Sequence, residues 1–420
     1  MNEAHLRALW GPLVGRLARA ARLADPSLAE DAVQAAMLQA VRTWPVAGTP
    51  ASPAAWLTTV ARNHLVDALR ARGRVASLDA MEEDAADRGA SLPATDDGAP
   101  GGLRLHGEIG DDELALLFAC CDPALPPPSQ VAFALRTVCG FSLREIAAAL
   151  LTNESALAKR LARARGELAA RGRTIVLPAG VELAPRRDGV LAAIYLLFNE
   201  GYAASGAGPA GDTQRPDLCR EAIRLVRALA SHPHCTHPDA DALAALLLLH
   251  GARLPSRVDS TGDWLLLADQ PRGLWHRGMI AAGLVHLARA GRAQRLSRWH
   301  LGAGIAAEHA TAATYAATRW DVVRGMYDTL LRIDPSPLVA LSRAIAVACA
   351  GDPRAALQDI DALLPATPAQ LAHFAHAARG DVLLRLHRVD EAAAAFDRAI
   401  ALARTDAERR VLATRRRALR

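Results

Sequence analysis

Ser155, Lys159, Arg160, Arg163 and Arg165 crowd into one short stretch of this 420-residue chain. Their chemistry is recognition of a polyanion. Guanidinium and ammonium groups neutralise phosphates, and short polar side chains reach base edges. In SLREIAAALLTNESALAKRLARARGEL (142–168), Leu157, Leu161, Ala164 and Leu168 repeat at 4-3-4 spacing and form one apolar stripe. At about 100° per residue, Ser155, Lys159, Ala162 and Arg163 lie roughly opposite that stripe, with Arg160 and Arg165 flanking it. Upstream, Ser142 and Glu145 fit a capping box, Ile146, Ala147 and Leu150 share a face, and Thr152 is expected to cap the second helix. Two helices, a tight turn and a basic second helix are the sequence form of a DNA-reading helix-turn-helix. The same residues also suit a surface hairpin whose cations are merely solvated.

A second constellation lies upstream, in PAAWLTTVARNHLVDALRARGR (53–74). Leu57, Ala61, Leu65, Ala68 and Leu69 share one face; Trp56, Asn63, Asp67, Arg70 and Arg74 lie opposite. An aromatic followed down a helix by Asn and Arg can stack an unpaired base and hold its phosphates. Alternatively, Trp56 is core and the arginines complement the helix dipole. The preceding helix (29–44) is expected to bury Val33, Met37, Ala40, Val41 and Trp44. Leu38 then points outward between Asp31 and Arg42, a place for a partner helix or an ordinary exposed leucine.

Nothing comparable supports catalysis. No phosphate loop, zinc-protease pattern or nucleophile elbow is present. His232, His234, Cys235 and His237 (HPHCTH) carry metal-ligand chemistry, but Pro233 and Pro238 break the segment, so a solvated loop is the reading and no metal or cofactor is assigned. Cys120 and Cys121 read as small packing residues, and the six cysteines as reduced thiols. Asn199, Glu200 and Tyr202, around a Gly201 that interrupts an apolar helix pattern, suit a site, a capping turn or an interdomain contact. The start of the chain lacks the pattern of a signal peptide, and no apolar run is long enough to span a bilayer.

The elements that position these residues are all helical. Aromatics are 4% of the chain, alanine is abundant, and alanine, leucine and arginine are good helix formers, which predicts an all-α protein. The net charge of +5 permits a nucleic-acid partner without demanding one. Composition divides the chain into a helical domain over 1–75, an acidic, mobile linker over 76–110, a helix-turn-helix domain over 111–175 and a long helical domain over 186–420. The last contains a loose repeat: RWDVVRGMYDTLLRIDPSP from Arg319, GDPRAALQDIDALLP from Gly351 and RVDEAAAAFDRAIALA from Arg388. Its spacing is near the ~34 residues of a tetratricopeptide unit, although a plain helical bundle remains the alternative.

Together these residues resemble an extracytoplasmic-function (ECF) sigma factor. LAEDAVQAAMLQAVRTWP and SPAAWLTTVARNHLVDALRARGR are similar to sigma region 2, and FSLREIAAALLTNESALAKRLARARGEL is similar to region 4. LAAIYLLFNEGYAAS, LCREAIRLVRALA and DPSPLVALSRAIAVA resemble the extension of an ECF subgroup that carries a tetratricopeptide-like domain after region 4. The resemblance implies that Asp31, Gln34 and Leu38 dock on the clamp of the largest catalytic subunit of RNA polymerase. It implies that Trp56, Arg62, Asn63, Arg70 and Arg74 engage the −10 element and the opened strand of promoter DNA, and that Ser155, Lys159, Arg160, Arg163 and Arg165 read the −35 element. The linker would run toward the RNA exit path. The implied protein is cytoplasmic, is no enzyme, and has an extension that answers to polymerase, a protein or a ligand. The competing reading is a one-component helix-turn-helix regulator with a sensing helical domain.

Overall fold

The computed structural model describes residue 6 and residues 9–21, 26–71, 112–150, 152–170, 180–203, 214–233, 235–260 and 262–419. The acidic stretch assigned as a linker lies outside them. Among the described residues there are helices and no strands, so the fold is all-α.

The helices fall into two compact units. The first comprises Met1–Gly201 with Arg224–Thr236. Its elements are α1 (Trp10–Ala20), α2 (Ser27–Ala47), α3 (Pro53–Ala71), α4 (Asp112–Cys120), α5 (Pro127–Thr137), α6 (Leu143–Ala149), α7 (Glu154–Ala170) and most of α8 (Arg187–Tyr202), with the second half of α9 (Pro216–Ser231). In α3, Leu57, Ala61, Leu65 and Leu69 are wholly buried, as the spacing predicts. In α2, Val33, Ala36, Ala40 and Trp44 form the inner stripe, with Met37 half-buried at its edge. Val41 does not join it: it is 58% exposed. Val41 sits one residue past Ala40, about 100° round the helix, and Ala29, Ala32 and Ala36 let the buried face rotate away from it. The helix also runs on through Pro45 to Ala47, one turn beyond the break expected at Trp44.

Compactness groups these helices differently from the division drawn on composition. The two segments flanking the acidic stretch share one unit, and α8 and part of α9 join them. Arg186 reaches back to α4: Nη2 pairs with the Asp122 carboxylate at 3.0 Å, and Nη1 donates to the Phe118 carbonyl at 3.2 Å. Arg224 of α9 pairs with Glu113. A Cβ on Gly189 would stand 3.1 Å from Cys121, so glycine is what lets α8 come this close to the end of α4.

The second unit comprises Tyr202–Ile223 and His237–Arg420. Its helices are α10 (Pro238–Gly251), α11 (Arg277–Ala290), α12 (Arg298–Thr311), α13 (Trp320–Ile333), α14 (Pro337–Cys349), α15 (Pro353–Leu363), α16 (Ala372–Arg385), α17 (Val389–Leu402) and α18 (Asp406–Arg417). Each packs on its neighbours in sequence. Alanines 344, 348, 356, 375, 378, 392, 395 and 399 line the shared core with Leu341, Ile360, Leu383 and Phe396, and small side chains let the helices approach closely. Gly380 takes this furthest: a Cβ there would stand 2.8 Å from the Phe396 ring. Side-chain caps start several helices, Ser336 for α14, Asp352 for α15 and a Thr405–Glu408 capping box for α18.

Candidate nucleic-acid interface

Local hydrogen bonds start both helices of the α6–α7 pair, and Thr152 N–H donates to the Ala147 carbonyl at 2.9 Å in the turn between them. Glu145 N–H donates to Ser142 Oγ (3.2 Å), and Ser142 N–H donates to the Glu145 carboxylate (2.8 Å), which completes the expected capping box. The second helix is capped by Asn153, whose Oδ1 accepts from Ala156 N–H at 2.8 Å, and not by Thr152. Both types cap well, and the register, one residue later, decides which one does. Leu157, Leu161, Ala164 and Leu168 are buried against the unit. Ser155, Lys159 and Arg163 stand exposed on the other side, and Arg160 and Arg165 are half-buried at its edges. Arg160 and Arg163 line a groove of about 220 Å³ with Pro126, Ser129 and Glu167. Ser155, Lys159 and Arg163 therefore share one exposed face above the buried apolar stripe, with Arg160 at its edge.

On α3, Asn63 and Arg70 are exposed and Arg62 half-buried. Arg70 sits 3.7 Å from Asp67 with both side chains well exposed, too wet a pair to immobilise it. Trp56 is half-buried, its ring meeting Trp44 edge-on at a centroid distance of 5.3 Å. It is thus pinned at its root while keeping an accessible side, which combines the two sequence readings of this residue. Arg74 lies outside the described residues. Asp31, Gln34 and Leu38 of α2 form an exposed row, with Leu38 52% exposed.

The residue that sequence reasoning missed is Glu30. It is buried, one position before Asp31, and its carboxylate accepts from Thr137 Oγ1 at 2.6 Å and from Arg165 Nη2 at 3.1 Å. Nearby, Trp10 Nε1 donates to the Thr137 carbonyl at 2.9 Å, and its ring covers Gly140, where φ of +64° favours glycine. Segments separated by more than 100 residues are thereby locked together, and one of the five predicted α7 contacts, Arg165, is engaged inside the protein. The only sequence signal is a Glu in the first turn of a helix, which reads as dipole compensation.

The buried cysteines are chemically quiet. Burial pushes the Cys121 thiol up to about 12 and raises Cys120 as well, the latter helped by neighbouring Cys121 and Glu30. Burial raises the Cys235 thiol to about 11, and His237 Nδ1 accepts from Asp239 N–H as the cap of α10. His234 lies outside the described residues; among those described, no cluster of His, Cys, Asp and Glu is placed to hold a metal. No described helix is long and apolar enough to cross a membrane.

Comparison with known proteins assigns three segments. Residues 6–75 match Sigma-70 region 2, residues 117–168 match Sigma-70, region 4, and residues 186–291 match a family of unknown function, DUF6596. An uncharacterized protein of Rhizobium meliloti is 41% identical over 397 residues, covering 94% of this chain and 90% of that protein. No solved structure matches.

Proposed function

We propose a working cycle from one premise: the chain belongs to the family of the Rhizobium protein and is an RNA polymerase sigma factor of the ECF type, with a C-terminal extension. It directs polymerase to promoters and takes part in initiation. Sigma factors are not enzymes, and this chain's role is binding. The competing reading, a regulator acting without polymerase, is not favoured.

Within that role, Asp31, Gln34 and Leu38 dock on the polymerase clamp. Trp56, Arg62, Asn63, Arg70 and Arg74 hold the −10 region and its opened strand. Ser155, Lys159, Arg160, Arg163 and Arg165 read the −35 element, in the cytoplasm where promoter and polymerase meet. The extension forms a tetratricopeptide-like array of helix pairs that modulates activity through a protein or ligand partner; the successive packing of α12 to α17 supports this.

The observation that carries the cycle is the Glu30 junction. Elements centred near −10 and −35 lie about 25 base pairs apart, roughly 85 Å of duplex at about 3.4 Å per step. A compact unit of about 200 residues has a radius of gyration near 16 Å, hence a diameter of about 45 Å. A chain with regions 2 and 4 locked through Glu30, Thr137 and Arg165 cannot touch both elements. The free protein is therefore closed, and polymerase opens it by holding each region separately, which supplies the effective concentration that two weak DNA contacts need. Promoter mapping with core polymerase tests the assignment. Lys159→Ala and Arg163→Ala should lower run-off initiation at a mapped promoter and shift its −35 preference, whereas Trp56→Ala and Asn63→Ala should impair opening at the −10 element. Unchanged initiation in all four would refute these roles.

A further inference from the structure

In the second unit, five nitrogen-rich side chains gather with no carboxylate paired to them among the described residues. Arg253 and Arg272 lie over the same Trp275 ring, 5.5 and 4.4 Å from its centroid. Arg257 lies 3.5 Å from the Tyr202 ring centroid and 4.4 Å from that of Trp264. The Tyr202 ring meets His250 at 5.3 Å, and His309 meets Trp320 at 5.2 Å. Among the described residues, the hydrogen bonds of these guanidiniums go to neutral acceptors. Arg253 Nε donates to Gln270 Oε1 (3.1 Å), Arg257 to the Tyr202 carbonyl, and Arg272 Nη1 to the carbonyls of His309 (2.7 Å) and Ala312 (2.8 Å).

Two carboxylates beside the cluster in sequence are committed to other arginines. Glu308 binds Arg319 through both oxygens, and Asp263 binds Arg410 at 2.6 Å. Arg272 Nη2, His250 Nδ1 and His309 Nδ1 are buried with no hydrogen-bond partner among the described residues. Burial lowers Arg257 to about 10, with Arg253's charge adding to the effect, so the group stays cationic at neutral pH. Burial and the same arginines hold His250 near 3 and His309 near 4, so both imidazoles are neutral and keep one N–H to donate.

Buried charges are ordinarily paired, and three unpaired cations on aromatic platforms are costly to assemble. We propose that Arg253, Arg257 and Arg272, with His250 and His309, form a binding site for a small dianionic oxyanion, a phosphate group borne by a metabolite or free in solution. Three guanidiniums, two from the turn after α10 and one from the turn before α11, suit a tetrahedral anion with several oxygens better than a planar carboxylate, which one Arg fork satisfies. The site gives the extension a ligand of defined chemistry and does not depend on the reading of the DNA-facing helices.

The test uses the full chain and needs neither polymerase nor promoter. Inorganic phosphate, titrated against potassium chloride of matched ionic strength, should raise the thermal midpoint of the second unit, about 200 residues, by roughly 5–10 °C at about a hundredfold excess over Kd. Titration calorimetry should give one site per chain. Arg253→Met and Arg272→Met should each weaken binding at least about tenfold, the loss of one charge-assisted hydrogen bond, without lowering the midpoint in chloride, because each removes an uncompensated charge. Should Arg253→Met fail to fold, Arg272→Met, at a half-buried position, carries the test together with the wild-type titration. No effect of phosphate beyond chloride overturns the site. An equal phosphate effect in wild type and Arg272→Met overturns it too, and tighter binding of succinate than of phosphate overturns the choice of anion.

Discussion

Replacing Glu30 by Gln should open the protein without unfolding it. The substitution keeps side-chain volume, so no cavity forms, and removes only the charge. Glu30 is 6% exposed at its side chain, but Arg165 is 32% exposed, so solvent screens the ion pair and its share is at most about 1 kcal/mol. The Thr137 hydroxyl at 2.6 Å loses a charged acceptor for a neutral one, worth about 1 kcal/mol more. The sum, ~2 kcal/mol, is about a 30-fold shift of the closed–open equilibrium toward open. Hydrogen exchange resolved by peptide reads this directly. Amides around Trp10–Ala20 and Thr137–Phe141 should exchange tens of times faster, while those in α12 to α17 stay unchanged. Affinity for a −35 duplex should rise, because Arg165 is released. Unchanged exchange at both segments, or acceleration spread over the whole chain, would refute the reasoning that Glu30 latches these segments.

Other outcomes follow from the same contacts. Gly11→Ala should weaken the same junction by about 1–3 kcal/mol, since its Cβ would stand 2.6 Å from the Val138 carbonyl, a backbone atom that cannot swing aside; accelerated exchange at Thr137–Phe141 checks it. Asn153→Ala should destabilise the start of α7 by about 1 kcal/mol, read as a lower unfolding midpoint, with Thr152→Ala nearly silent. His250 and His309 are held by burial near 3 and 4, below the ~6.5 of an unfolded chain. Between those values the unfolded chain binds more protons, so stability falls as pH drops below about 6.5. From about pH 7 to pH 5 each histidine should cost about 2 kcal/mol. Urea unfolding at the two pH values should show this loss reduced in His309→Gln, and an equal loss in both proteins would contradict it.

The helical fold, the α6–α7 turn and the exposed cations of α7 are legible in the sequence because each rests on local signals. A capping box needs four residues, and an apolar stripe needs a few turns. Val41 departs from its expected place because a helix rich in small residues can turn its buried face by one position at little cost. Asn153 displaces Thr152 because adjacent capping residues differ only in register. Glu30, Thr137 and Arg165 are illegible for another reason: their partnership spans 107 and 135 positions, and no periodicity reports a contact of that range. The Arg253–Arg257–Arg272 cluster is likewise hidden, since arginines in a loop read as solvated until their aromatic platforms and the commitments of nearby carboxylates are seen.

The central claim, that polymerase opens a closed sigma factor, is most directly tested by one distance measured twice. Fluorophores introduced through unnatural amino acids at Gln39 and Gly166, both exposed, would report the separation of region 2 from region 4. In the free full-length chain the distance should stay below about 45 Å, the diameter of the compact unit. On adding core polymerase and a mapped promoter it should exceed roughly 60 Å, approaching the spacing of the two DNA elements. An unchanged distance in the initiating complex, or a free chain already extended beyond about 60 Å, would contradict the account.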